Sequence, residues 1–115
     1  MSAIELAAQE VWKVLGPGRC EHAYSAALAI ELGGVHQFSI PIFYKGHCVS
    51  VSKADVLIRC HDGVVVIETK IADRITPEAL LQAAAYGRSI SATSVVVAFP
   101  RSNAETVLVS QCLAP

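Results

Sequence analysis

Apolar residues recur along the first third of this chain at the spacing of a helix. They predict an amphipathic helix over residues 4–15, which ends at a Gly-Pro-Gly sequence. A second helix is predicted over residues 19–32, with two glycines to close it. On this helix Glu21, Tyr24 and Leu28 lie three and four residues apart and share one face. Glu21 can therefore face inward.

Extended patterns dominate the middle of the chain. The run Val64-Val65-Val66-Ile67 is β-branched throughout and predicts a buried strand. A turn is expected at Lys45-Gly46. The three strands predicted here cover residues 36–44, 47–59 and 64–70.

The last third returns to a helix and then to strands. Thr76 is a candidate cap and Pro77 suits the first helical position, so a helix is predicted from there to residue 89. The remaining elements are strands over residues 94–99 and 106–111 and a loop over residues 100–104 between them. The predicted order is ααβββαββ.

The hairpin in the middle of the chain gathers charged residues. If its turn centres on His61-Asp62, Asp55 lies opposite Glu68; if it centres on Asp62-Gly63, Asp55 lies opposite Lys70. In both registers alternation along the strands predicts that the three side chains share one face. Two acids beside an apolar run are costly to bury unless a cation compensates them. The pattern indicates a site for a divalent cation.

The composition fits one compact domain over residues 1–115. Hydrophobic residues make up 53% of the chain, and this apolar surplus predicts an oligomer, a homodimer being the expectation. No apolar run is long enough to cross a bilayer, and the N-terminus lacks the pattern of a signal peptide. The four cysteines are spread without CxxC spacing, which suits reduced thiols. We expect a cytoplasmic protein.

Four motifs in this order resemble the PD-(D/E)xK nuclease superfamily and, within it, the small proteins named for a GxxExxY motif. Asp55 and the Glu68-Thr69-Lys70 triplet match the superfamily pattern, although Thr69 replaces the usual aliphatic residue. Residues 18–24 match GxxExxY behind Leu-Gly-Pro, and residues 82–86 match the later helical motif. The similarity runs from about residue 14 to residue 99. It implies an α/β (α+β) fold with a restriction-endonuclease-like αβββαβ core, a mixed sheet flanked by helices, an extra N-terminal helix and an extra C-terminal strand.

The resemblance also implies a chemistry, the metal-dependent hydrolysis of phosphodiester bonds in nucleic acid, with DNA the expected partner. The metal would be Mg²⁺ or Mn²⁺. Its implied ligands are Asp55, Glu68, the backbone carbonyl of Thr69, and Glu21. The implied catalytic residues are Glu21, Asp55, Glu68, Lys70 and Gln82. The implied substrate-binding residues are Tyr24, Tyr86, Arg19 and Lys53. Core packing is an equal alternative for the two tyrosines.

Three observations leave room for other functions. His22, His47 and His61 each lie near a cysteine, but adjacent residues of a strand face opposite ways, so a zinc centre is disfavoured. Nine basic against ten acidic residues give a net charge of −1, a weak footprint for DNA. The alternative function is a non-catalytic binding or assembly module that uses its apolar surface. Intact Asp55, Glu68 and Lys70 argue against that module.

Overall fold

A computed structural model of the protein describes residues 2–103 and 106–112. Its helices are α1 (Ala3–Leu15), α2 (Glu21–Leu32) and α3 (Pro77–Ile90). Its strands are β1 (Val35–Tyr44), β2 (His47–Cys60), β3 (Gly63–Ile71), β4 (Thr93–Phe99) and β5 (Leu108–Cys112). The predicted order of elements is confirmed, and their ends agree with the predictions to within about two residues. Residue 104 of the predicted loop lies outside the described residues.

The five strands form one mixed sheet in the order β1-β2-β3-β4-β5. Strands β3 and β4 run parallel, with α3 as the connection between them, and the other neighbours are antiparallel. The register of β2 and β3 runs from Val56 opposite Ile67 to Cys60 opposite Gly63. This confirms the first of the two predicted registers, in which the next residue, Asp55, faces Glu68.

Local sequence signals explain where these elements begin and turn. The Ser2 side chain accepts a bond from the Glu5 backbone N–H, and the Glu5 carboxylate accepts one from the Ser2 backbone N–H, so α1 begins with a complete capping box. Thr76 caps α3 through the Ala79 amide at 3.2 Å, as predicted. Lys45 and Gly46 both have positive φ, 48° and 82°, the geometry of the tightest hairpin turns.

Helices cover both faces of the sheet. The larger apolar cluster joins α1 and α2 to one face, and its largest side chains include Trp12, Tyr24 and Phe99. The clusters on the other face lie under α3. There Gly87 lets the helix approach β4, since a Cβ at this position would clash with Ser94 Oγ. The predicted mixed sheet flanked by helices is therefore the observed architecture. Within the described part of the chain, no helix has the length and apolar character to cross a bilayer.

Strand β2 breaks its alternation at Asp55. Ala54 packs with Leu57 in the cluster under α3, whereas Val56, two residues from Ala54, packs in the cluster under α1 and α2. Opposite the break, Gln37 of β1 has a φ of 60°, and the pairing of β1 with β2 passes from His36 to Phe38. The prediction that Asp55 shares a face with Glu68 and Lys70 assumed unbroken alternation. Asp55 instead lies where the alternation of β2 is broken, and its backbone bonds to Glu68 from there.

Candidate active site

The backbone pairing of β2 with β3 ends at Val56 and Ile67. Beyond this point the side chains of Asp55 and Glu68 make the hydrogen bonds between the two strands. The Asp55 carboxylate accepts bonds from both the backbone N–H and the hydroxyl of Thr69, each at 2.8 Å. The Asp55 backbone N–H donates to the Glu68 carboxylate at 3.3 Å. The two carboxylates are thus held side by side at the point where the ladder ends.

Glu21 approaches this pair from the first residue of α2. Partial burial and the charge of Asp55 raise the pKa of Glu21, whereas Lys70 lowers it. Glu21 and Lys70 also line one cleft, so the first turn of α2 lies beside the end of β3.

Glu68 is the most deeply buried acid of the group, with 5% of its surface exposed. Burial and then the negative charge of Asp55 raise the pKa of Glu68 to about 8, and Glu21 adds to this. The bond from the Asp55 amide and the charge of Lys70 act in the opposite direction without cancelling the rise. Without a cation, the site therefore favours a protonated Glu68 at neutral pH.

Lys70 is held by a chain of hydrogen bonds that runs through two polar side chains of α3. Its ammonium group donates to the Gln82 carbonyl oxygen at 3.1 Å, and the Gln82 amide donates to the Tyr86 hydroxyl at 3.2 Å. Gln82 and Tyr86 are one helical turn apart, so a single face of α3 supplies both. These hydrogen bonds fix the position of the Lys70 ammonium group beside the carboxylates.

A cleft of 490 Å³ opens beside these groups. Three residues predicted from the sequence line it, namely Glu21, Lys70 and Gln82. Arg74 and Glu78 also line it, and neither was assigned to the site from the sequence. Both lie between the end of β3 and the first turn of α3, where loops that follow a strand commonly carry function. The volume suits a small ligand or part of a polymer.

Tyr24 lies in the core and does not reach the mouth of the cleft, where the resemblance placed it. Its exposed fraction is 1%, and its ring stacks on Phe99 at 4.5 Å between centroids. Its hydroxyl donates to the Gly16 carbonyl at 2.6 Å and accepts from the Arg19 backbone N–H at 3.3 Å. Tyr24 therefore has the core-packing role that was the alternative to substrate binding. Tyr24 fastens the connection between α1 and α2, directly before Glu21.

Arg19 and Lys53 are both exposed. The Arg19 side chain donates through Nε to the Leu15 carbonyl at 3.1 Å, so it is bound to the end of α1. Lys53 lies on β2 opposite Ser39, two residues before Asp55. Neither is among the residues that line the cleft.

A comparison with protein families decides what this arrangement belongs to. The model of the PD-(D/E)XK nuclease superfamily matches residues 1–107 of the chain. The chain belongs to this superfamily. A search of curated proteins finds no match.

A solved structure shares the fold of this chain. The chain is similar to the protein SSO0001, known from a crystal structure, with a TM-score of 0.59 and 16% sequence identity. The alignment covers 98% of this chain and 65% of that one, so the chain spans about two thirds of its relative's length. At this identity the likeness concerns the fold alone.

The donor set can be compared with what PD-(D/E)XK enzymes require for a divalent cation. In the described ranges, no group of three or more His, Cys, Asp or Glu side chains is arranged so that it could hold a metal ion. The oxygen donors nonetheless fit a hard cation, because carboxylates of Asp55 and Glu68 adjoin the Thr69 backbone. Burial, and after it the negative charge of Asp55, raises the pKa of Glu68, so an ionised Glu68 is costly at the same point. A cation would remove this cost.

Proposed function

We propose that the protein is a metal-dependent nuclease of the GxxExxY branch that hydrolyses phosphodiester bonds in DNA. The observation that carries this proposal is the pairing of Asp55 with Glu68 beside an open cleft whose wall includes Glu21 and Lys70. A core or a scaffold gains nothing from clustered acids, since burying them costs free energy.

The GxxExxY assignment is supported by what the motif residues do in the fold. Gly18 has a φ of 89°, which a residue with a side chain rarely adopts. Tyr24 holds the backbone of Gly16 and Arg19, so the connection leads into α2 at a fixed point. Glu21 begins that helix, within the field of the Asp55 carboxylate. The motif thus serves to deliver one acid to the site.

Mg²⁺ or Mn²⁺ would be held by Asp55, Glu68 and the Thr69 carbonyl, with Glu21 as a further acid. When bound, such a cation polarises a phosphoryl oxygen and lowers the pKa of its water. Lys70 contributes a fixed ammonium group that can donate to the attacking water or to an oxygen that gains charge at phosphorus. Gln82 holds Lys70 in that position, and Tyr86 in turn holds Gln82.

Cleavage of end-labelled nucleic acids tests the proposal. The native protein is incubated with single-stranded and duplex DNA and RNA in Mg²⁺, in Mn²⁺ and in EDTA. We expect metal-dependent cleavage that falls at least about 100-fold in Asp55→Asn and Glu68→Gln. Asp62→Asn and Glu31→Gln are the matched controls, because both acids are exposed and lie on the hairpin turn and on α2.

The outcomes separate the two candidate functions. Cleavage that persists in the site variants would place the chemistry elsewhere and overturn the proposal. An absence of cleavage together with an absence of metal binding would favour the assembly module, which has no need of a cation.

A further inference from the structure

The tip of the β1–β2 hairpin exposes aromatic side chains that the proposed active site does not use. Phe43 is 64% exposed and Tyr44 is 60% exposed. The Lys45 ammonium group lies 5.4 Å from the centre of the Tyr44 ring, so a cation stands over an aromatic face. We call Phe43, Tyr44 and Lys45 the aromatic arm.

The sequence around the arm contains no acid. Residues 32–54 carry Lys45, Lys53 and two histidines without a single Asp or Glu, in a chain whose net charge is −1. All of residues 43–51 are exposed. An exposed segment that combines cations with aromatic rings and contains no acid suits nucleic acid, a polyanion whose bases have flat faces.

The base of the arm joins the face of α3 that leads to the site. A groove of 360 Å³ is lined by Ile42, the residue before the arm, and by Tyr86 and Arg88 of α3. Tyr86 accepts a bond from Gln82, and Gln82 lines the cleft beside Lys70 and Arg74. Cleft and groove thus adjoin along one helix. Arg88 lines the groove, and Lys70 and Arg74 line the cleft together with the acids Glu21 and Glu78.

We propose that the aromatic arm and this face of α3 bind single-stranded nucleic acid and lead it to the cleft. Exposed rings stack on unpaired bases, which a duplex keeps buried in its own stack. Duplex binding depends mainly on many phosphate contacts, and the few cations here supply little of that. The proposal rests on the proposed nuclease function for its substrate class, but binding is measured separately from cleavage.

Fluorescence anisotropy with labelled oligo-dT, in EDTA so that no metal-dependent cleavage occurs, tests the arm. The double variant Phe43→Ala/Tyr44→Ala should weaken binding at least about tenfold, because each stacked ring contributes strongly. The double variant Val49→Ala/Val51→Ala is the matched control, since it removes exposed apolar groups from the same hairpin. It should bind like the native protein.

The charge of the arm is tested by salt titration. Lys45→Ala should reduce the slope of log affinity against log salt by about 0.7, the value for one phosphate contact on a single strand. Lys13→Ala, an exposed lysine on α1, should leave the slope unchanged. Thermal unfolding confirms that each variant is folded, which is expected for side chains with this exposure.

Each outcome decides the inference. Loss of oligo-dT binding in the aromatic variant alone supports it. Equal binding by the native protein and the aromatic variant overturns it, as does tighter binding of duplex than of oligo-dT. Self-association that the aromatic variant abolishes would also overturn it, by assigning the arm to a second copy. Metal-dependent cleavage in any of these cases would leave the proposed function standing.

Discussion

Lys70 is the residue whose replacement separates catalysis from metal binding. Its ammonium group donates to Gln82, and its charge lowers the pKa of Glu68. Lys70 is not among the proposed metal ligands. We predict that Lys70→Met lowers the single-turnover rate of cleavage about 100-fold or more, because a preorganised charge is lost from the transition state. Manganese affinity should change much less. A rate equal to that of the native protein would contradict the role proposed for Lys70.

The raised pKa of Glu68 determines how we expect the stability of the metal-free protein to depend on pH. The carboxyl group ionises near 4.5 ordinarily and near 8 in the folded protein, so between these values only the folded state keeps the proton. The free energy of unfolding should therefore fall as pH rises from 5 to 8, by at most about 1.4 kcal/mol per pH unit. The stabilisation is complete below the ordinary value and is lost above 8.

Urea unfolding in EDTA across this pH range measures the effect. Glu68→Gln keeps the shape of the side chain and removes the titration, so its stability should decline less with pH. A decline of the same steepness in native and variant proteins would show that Glu68 is not the group responsible.

Among the connections between elements, the one joining α1 to α2 is bonded at two points by the Tyr24 hydroxyl. Tyr24→Phe removes the bonds to the Gly16 carbonyl and the Arg19 amide, so we predict a loss of about 1 kcal/mol in the free energy of unfolding. Tyr86→Phe is the matched control, since its hydroxyl bonds to the exposed Gln82 and its loss should cost less. Denaturant unfolding of both variants checks this, and equal losses would contradict it.

At the scale of elements, most of the fold could be predicted from the sequence because its signals are local. The β-branched run of β3, the turn at Lys45-Gly46 and the cap at Thr76 each act within a few residues. The order of elements followed from such signals, as did the two candidate registers of the central hairpin, between which the structure decides. The restriction-endonuclease-like architecture was expected from that order together with the motifs.

The features that escaped prediction depend on distant parts of the chain. The break at Asp55 is matched by the positive φ of Gln37 on the neighbouring strand, and no pattern within β2 signals it. The burial of Tyr24 depends on Phe99 from β4. Arg74 and Glu78 line the same cleft as Glu21, which is more than fifty residues away in the sequence, and only the tertiary fold determines this.

For the whole molecule, the homodimer stays a prediction. The apolar surplus seen in the composition includes Val14 and Ile30 on α1 and α2, which are 70% and 79% exposed. Isolated exposed apolar residues are ordinary, but these two line a shared groove. We expect a dimer by sedimentation velocity and a shift toward monomer in Val14→Asp/Ile30→Asp. A native protein that sediments as a monomer at all concentrations would contradict the prediction.

The central proposal for the whole molecule is that Asp55 and Glu68, which the fold brings together, bind a divalent cation. Titration calorimetry with Mn²⁺ tests this most directly, on the native chain, on Asp55→Asn and Glu68→Gln, and on Asp62→Asn as the control. The account predicts binding by the native chain and the control, and loss of binding in both site variants, because each removes a charged oxygen ligand. An absence of manganese binding by the native chain would contradict it.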